Sequence, residues 1–138
     1  MIGILLLTHG PLGHALVETL EGIMGPQEHI MCIAFRPNDD AEIKRKELYK
    51  AIDELNTGRG VVILTDMFGG TPSNLAMSAL GVKPIEVLAG VNLPMFIKFV
   101  ENRKNTALRE AAQKAFDAGR KYIQIASTLL SPAQAVSA

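Results

Sequence analysis

A histidine and an aspartate, each delivered by an apolar run, are the side chains of this sequence best able to do chemistry together. His9 follows Ile2-Gly3-Ile4-Leu5-Leu6-Leu7-Thr8, and Asp66 follows Val61-Val62-Ile63-Leu64-Thr65. A neutral imidazole is nucleophilic through one ring nitrogen, while the other carries the proton and needs an acceptor that fixes the tautomer. Asp66 is a candidate for that acceptor. In a serine protease, changing the orienting acid to its amide costs about 10⁴-fold, because the wrong tautomer is presented. The residues after Asp66 add donors. Gly69 and Gly70 permit positive φ or close approach of a ligand, Thr71 can cap the amides that follow, and Pro72 suits the first helical position. The amides of Gly69, Gly70 and Thr71, the Thr71 hydroxyl and the helix start after Gly10 would surround an anion, such as a phosphoryl group. Phosphoryl transfer needs little beyond positioning and charge stabilisation, so no metal or other cofactor is expected.

Residues 60–74 taken alone also fit an ordinary strand-to-helix turn, and a lone histidine at a strand end is more often structural than nucleophilic. The coincidence of His9 with Asp66 favours chemistry. His14 and His29 have no such company and read as structural or solvent-exposed. Thr8, Phe68, Asn92 and Arg36, with Asn38 near the last, are candidate rim residues because each lies at or just beyond the end of a predicted strand.

The elements that must position these residues follow from hydrophobic patterning. Residues 2–7, 30–35, 61–64 and 85–89 are short apolar runs bounded by Gly, Pro, Asn or Asp, as strands buried on both faces require. Leu12, Leu16, Thr19, Leu20 and Ile23 predict one inward stripe on a helix that Gly25 and Pro26 end. Asp39 and Glu42 form a candidate capping box before a helix that buries Leu48, Ala51, Ile52 and Leu55. Leu75, Ala76, Ala79 and Leu80 continue a short helix after the glycine turn. Asn92 and Pro94 start another, with Met95, Phe96, Phe99 and Val100 inward. An alanine-rich helix from Thr106 to Ala118 is predicted to bury Leu108, Ala111, Ala112, Ala115 and Phe116 and to stop at Gly119. Tyr122 to Ile125 reads as a short last strand. Strands alternating with helices imply an α/β fold, a doubly wound parallel sheet of four strands with helices on both faces. Ligands of such sheets lie beyond the strands' carboxyl ends, where the strand order reverses. His9 and Asp66 meet there if the first and third strands are neighbours.

Length and composition narrow the setting. The 138 residues suit one domain, expected over 1–130, with a disordered small-residue tail at 131–138. Lys plus Arg and Asp plus Glu number 14 each, so neither nucleic acid nor a membrane surface is indicated as a partner. The single cysteine, Cys32, sits in an apolar run and reads as a buried thiol in a reducing compartment. Met1 leads directly into a strand-like segment, without a basic region or an apolar span of membrane length, so a cytoplasmic protein without membrane insertion is expected.

Three segments in order, Thr8-His9-Gly10, Thr65-Asp66-Met67-Phe68-Gly69-Gly70-Thr71-Pro72-Ser73-Asn74 and Ala89-Gly90-Val91-Asn92-Leu93-Pro94-Met95, resemble the mannose-type enzyme IIA of the bacterial phosphoenolpyruvate-dependent phosphotransferase system. The resemblance reaches to about Ile125. It implies that His9 accepts a phosphoryl group on Nε2 from phospho-HPr and passes it to an enzyme IIB. It further implies that Asp66 hydrogen-bonds His9, that Thr71 helps hold the phosphoryl group, and that a homodimer exchanges the last strand, here Tyr122 to Ile125. Members of the family often continue into a linker and a IIB domain. This sequence stops at Ala138, so a separate enzyme IIB is expected, or a regulatory target if the protein is a regulatory phosphoprotein of an incomplete system. The phosphocarrier of dihydroxyacetone kinase shares the histidine but carries a Gly-Ser-Ala pattern in its aspartate loop. A tetrapyrrole metal chelatase would need a further histidine, and none follows His29. A receiver domain would need paired acids where this sequence has Thr8-His9-Gly10.

Overall fold

The computed structural model describes residues 1–130; the tail expected at 131–138 lies outside them. Four strands, β1 (Gly3–His9), β2 (Ile30–Phe35), β3 (Val61–Thr65) and β4 (Ile85–Ala89), form one parallel sheet in the order β2-β1-β3-β4. The helices are α1 (Leu12–Met24), α2 (Ala41–Leu55), α3 (Thr71–Met77), α4 (Leu93–Asn102), α5 (Leu108–Lys121) and the single turn α6 (Ala126–Leu129). From β1 the chain moves outward to β2, then returns across β1 to β3 and continues outward to β4. The reversal lies between β1 and β3, the crevice where ligands of such sheets bind.

Strand alternation divides the core. Ile4 and Leu6 of β1, with Val62 and Leu64 of β3, face Leu20, Phe96, Phe99, Ala111 and Ala115 from α1, α4 and α5. Leu5, Leu7, Val61 and Ile63 face Leu48, Ala51, Ile52 and Leu55 of α2 and Ala76 of α3. Burial on both faces explains why these strands read as continuous apolar runs rather than alternating ones. Each fully buried Leu or Ile contributes about 1.5–3 kcal/mol relative to exposure.

Local details differ from the sequence reading. In α1 the inward positions are Gly13 and Leu20, with Leu16 and Val17 half-buried, whereas Leu12, Thr19 and Ile23 are exposed. Gly13 explains the rotation. A Cβ there would lie 3.2 Å from Leu6 Cβ, so the helix packs on β1 through its glycine rather than through Leu12. The cap of α2 is Asp40, whose carboxylate accepts from the Glu42 and Ile43 amides, while Asp39 turns back to accept from the Arg36 amide at 2.8 Å. Leu80 is exposed beyond α3, and only Ala79 of that pair is buried. The alanine-rich helix α5 runs through Gly119 to Lys121. Gly119 is a close-packing glycine, since a Cβ there would stand 3.1 Å from Met95 Cβ on α4. Phe116 faces outward beneath Arg120, whose guanidinium carbon is 5.2 Å from the ring centroid. Residues 122–125 pair with no strand among the described residues; they lead from α5 into α6 with Tyr122, Ile123 and Ile125 exposed.

At the opposite end of the sheet from His9, Arg103 is 1 % exposed and clamps the α1–β2 connection. Its guanidinium donates to the carbonyls of His29 (3.2 Å) and Glu28 (2.6 Å) and to Gln27 Oε1 (3.1 Å).

Candidate functional site

His9 is the last residue of β1, and β3 ends one residue before Asp66. Because β1 and β3 are paired, with Leu7 opposite Thr65, both residues emerge at the same sheet edge. His9 continues the face of Leu5 and Leu7, which is the face that α3 covers. There its ring Nδ1 lies 2.9 Å from Asp66 Oδ2, and its backbone N–H donates to the same oxygen at 3.0 Å. Asp66 Oδ1 accepts from the Met67 amide at 3.1 Å. The carboxylate is thus held by donors at both oxygens.

Burial pushes the Asp66 carboxyl upward, but the hydrogen bonds from the His9 backbone and ring, with the charge of His9, outweigh it and leave the group below its ordinary value. Asp66 is therefore ionised at neutral pH and can only accept. The hydrogen it accepts from the imidazole sits on Nδ1, which leaves the lone pair on Nε2. The His9 side chain is 49 % exposed against 13 % for Asp66, so the nucleophilic edge is accessible while the orienting acid is sheltered.

The glycine turn meets that edge. Gly69 has φ +81°, a left-handed conformation that glycine adopts without strain. Gly70 has φ −88° and ψ 166°, open to any residue, and its role is proximity. A Cβ there would stand 2.9 Å from His9 Cε1 and 3.4 Å from Nε2. Gly70 is also the residue before α3, and Thr71 is the first residue inside that helix rather than its cap. Residues 68 and 69 form a turn that draws the Gly70 amide toward the Met67 carbonyl, while among the described residues no acceptor takes the amide N–H of Gly69 or Thr71.

A cavity of about 320 Å³ opens beside His9, lined by His9, Gly10, Phe35, Arg36, Pro37 and Thr71. It brings together four of the candidate residues, Arg36, His9, Gly10 and Thr71. The other rim candidates lie elsewhere. Thr8 is buried beneath the site, where its hydroxyl accepts from the Gly13 amide at 2.9 Å and anchors the start of α1. Asn92 caps α4, accepting from the Met95 amide at 3.0 Å and donating to the Gly119 carbonyl at 2.9 Å. Phe68 is 63 % exposed outside the cavity, with Met67 beside it at 55 %. Asn38 is exposed and does not line the cavity. Gly10 contributes its backbone to the wall, but its N–H is taken by the Phe35 carbonyl at 3.0 Å and is not free for an anion.

Phe35 and Pro37 were not singled out from the sequence. Their signal was the pairing of β1 with β2, which sets Phe35 opposite His9 and sends residues 36 and 37 past the histidine. His14 is exposed on α1 and His29 precedes β2 at the far end of the sheet; neither lines the cavity. Among the described residues, no group of three or more His, Cys, Asp or Glu side chains is placed to hold a metal ion.

Comparison with known proteins gives a family. A family model, EIIA-man, described as PTS system fructose IIA component, matches residues 3–116. The PTS system mannose-specific EIIAB component of Escherichia coli (strain K12) is 33% identical over 125 residues, covering 89% of this chain. The chain spans only 39% of that relative's length. The PTS system fructose-specific EIIA component of Bacillus subtilis (strain 168) is 26% identical over 128 residues, covering 92% of this chain and 88% of that protein. Among solved structures, the phosphotransferase system component EIIA from Streptococcus agalactiae matches with a TM-score of 0.83 at 31% identity, covering 93% of this chain and 99% of that one.

Proposed function

This chain belongs to the EIIA-man family, and on that premise we propose that it is a phosphocarrier of a sugar phosphotransferase system, taking a phosphoryl group from phospho-HPr onto His9 and passing it to an enzyme IIB. The contact of 2.9 Å between His9 Nδ1 and an ionised Asp66 carries this reading, because it presents Nε2 as the nucleophile. In the inward step the Nε2 lone pair forms the new N–P bond as the P–N bond of the donor breaks, and the electron pair of that bond returns to the donor nitrogen. The Nδ1 proton stays on the ring, hydrogen-bonded to Asp66, which offsets the positive charge developing on the imidazole. The outward step is the reverse, with the acceptor's nucleophile in place of the donor.

The Thr71 hydroxyl and the amides of Gly69 and Gly70 are the groups we assign to the phosphoryl oxygens. The exposed apolar side chains Leu12, Met67 and Phe68, near the ends of the loops that carry His9 and Asp66, suit contact with protein partners rather than with a free small molecule. Among the described residues no helix is long and apolar enough to cross a membrane, and we place the reaction in the cytoplasm. A homodimer that exchanges residues 122–125 belongs to the same proposal; it draws support from the exposed Ile123 and Ile125 and from β4, which has β3 on one side only.

The test is phosphate transfer from phosphoenolpyruvate, enzyme I and HPr, followed by intact mass and acid lability, with His9→Ala beside the unaltered protein. One acid-labile phosphate that is lost in the variant is expected. Equal labelling of the two proteins would refute the assignment of His9.

A further inference from the structure

Arg36 is the one cation in the lining of the cavity beside His9, and no carboxylate shares that lining. Its backbone is fixed: the amide donates to Asp39 Oδ2 at 2.8 Å and the carbonyl accepts from the Asp39 amide at 3.1 Å, closing a tight turn. The strand before it is pinned to the site, with Phe35 opposite His9 and its carbonyl bonded to the Gly10 amide. The side chain is free by contrast. Among the described residues the Arg36 guanidinium has neither an ion-pair nor a hydrogen-bond partner, and Asp39, the nearest acid in sequence, is engaged by the Arg36 amide and by Lys44 at 3.6 Å. A lone guanidinium on a pinned turn, beside a nucleophile and without a counter-ion, matches an anion that is present only part of the time.

We infer that Arg36 is a phosphoryl-binding residue of this protein, its guanidinium pairing with the phosphoryl oxygens once they are on His9 Nε2. The inference rests on the phosphocarrier reading and deepens it. Gly69, Gly70 and Thr71 approach the phosphoryl group from the α3 side, while Arg36 closes the β2 side, so the transferred group is held between two loops. Arginine suits the position because its planar fork can meet two phosphoryl oxygens at once, whereas lysine offers a single point charge. Binding of this kind favours the phosphorylated state and shifts the equilibrium of transfer from the donor toward this protein.

The experiment measures both the rate of phosphorylation by phospho-HPr and the equilibrium distribution of phosphate between HPr and this protein. It compares the unaltered protein with Arg36→Ala, Arg36→Lys and Lys46→Ala, the last removing an equal charge from an exposed site on α2. Arg36→Ala is expected to slow phosphorylation and to move the equilibrium toward the donor, each by about 10- to 100-fold, the range of a charge-assisted hydrogen bond. Arg36→Lys should recover part of the loss, and Lys46→Ala should match the unaltered protein. An Arg36→Ala equilibrium within twofold of the unaltered protein overturns the inference. So does a rise in KM for HPr alone, which would make Arg36 a contact for the donor protein. Should the unaltered protein take no phosphate at all, the carrier reading fails separately. Titration with inorganic phosphate, followed through the NMR signals of the Arg36 Nε–H and the His9 ring, then decides the question: shifts lost in Arg36→Ala support the site, and their absence in the unaltered protein refutes it.

Discussion

Replacing Gly70 by alanine separates geometry at the nucleophile from stability of the fold. The backbone at Gly70, φ −88° and ψ 166°, accepts alanine without strain, so the added methyl acts only through what it touches. It would stand 2.9 Å from His9 Cε1, whereas carbon atoms in contact settle about 3.5–4.0 Å apart. The imidazole must therefore retreat by about 0.6 Å or more. If that retreat falls along the bond to Asp66, a contact now at 2.9 Å stretches to the outer limit of a hydrogen bond, and the methyl also crowds Nε2 from 3.4 Å. Misplacement of a reacting group by about 1 Å costs on the order of 10²-fold, so phosphorylation of Gly70→Ala is expected to fall about 10- to 100-fold. Stability should move the other way or stay level, because alanine restricts the unfolded chain, an effect of about 0.4–1 kcal/mol. The assay pairs the rate of phosphate incorporation from phospho-HPr with Tm and with the NMR signal of the His9 Nδ1 proton. A phosphorylation rate within twofold of the unaltered protein, with an unchanged Nδ1 signal, would refute the claim that Gly70 is a glycine for the sake of His9. Gly69→Ala should behave differently in stability. Its φ of +81° strains any side chain by about 1–2 kcal/mol, so its Tm should fall.

Asp66→Asn is expected to lower the phosphorylation rate by about 10²- to 10⁴-fold, since an amide can present its NH₂ to the ring and select the wrong tautomer. Asp66 is held below its ordinary pKa, so its contribution to stability is complete above about pH 5 and disappears once the pH falls below both the ordinary and the folded value. Acid unfolding curves of the variant and the unaltered protein should therefore differ at neutral pH and draw together as the pH falls through the acid range; a constant gap would count against the linkage. Burial pushes the Cys32 thiol up to about 11, leaving about one thiolate in a thousand at pH 8. Alkylation by iodoacetamide should be more than about 100-fold slower than in urea, as timed mass spectra would report. Arg103→Ala leaves the Glu28 carbonyl without its donor, while the His29 carbonyl keeps the Ile4 amide, and should cost about 1–3 kcal/mol, a drop in Tm on the order of 5–10 °C, while phosphorylation of the folded protein at 20 °C stays unchanged.

Much of this fold can be read along the chain because the two central strands, β1 and β3, are buried on both faces, whereas the edge strands β2 and β4 are largely half-buried. That circumstance makes Leu5–Leu7 and Val61–Leu64 continuous apolar runs and places their ends within a residue or two of the observed ones. The helix faces read less well where a single position competes with its neighbours. The spacing of Leu12, Leu16 and Ile23 suggests one stripe, but the close seat of Gly13 on β1 turns Leu12 and Ile23 to the surface. Phe116 has the period of a core residue, yet the small residues Ala111, Ala112, Ala115, Ala118 and Gly119 make the buried face of α5, and Phe116 lies at its margin beside Val87 of β4 with Arg120 over its ring. Two adjacent aspartates, Asp39 and Asp40, are equal as caps on paper, and the turn that engages the Arg36 amide assigns one of them to the loop.

For the site, residue types and spacing alone determined that a histidine and an acid leave two strands and that glycines follow the acid, since these are properties of local chain chemistry. They could not determine that the two meet, because 57 positions separate them and only the pairing of β1 with β3 closes that distance to 2.9 Å. Nor could they show that Gly70 makes room for the His9 ring rather than for its own backbone, or that the Gly10 amide is already spent on Phe35. Thr8 and Asn92 likewise looked like rim residues by position and became internal ties, because a polar side chain at a buried strand end or helix start is claimed first by unpaired backbone amides. Sequence sets which groups arrive at the carboxyl edge of the sheet, whereas tertiary packing allots many of those donors and acceptors to partners and leaves His9 Nε2 and the Arg36 guanidinium open beside the same cavity among the described residues.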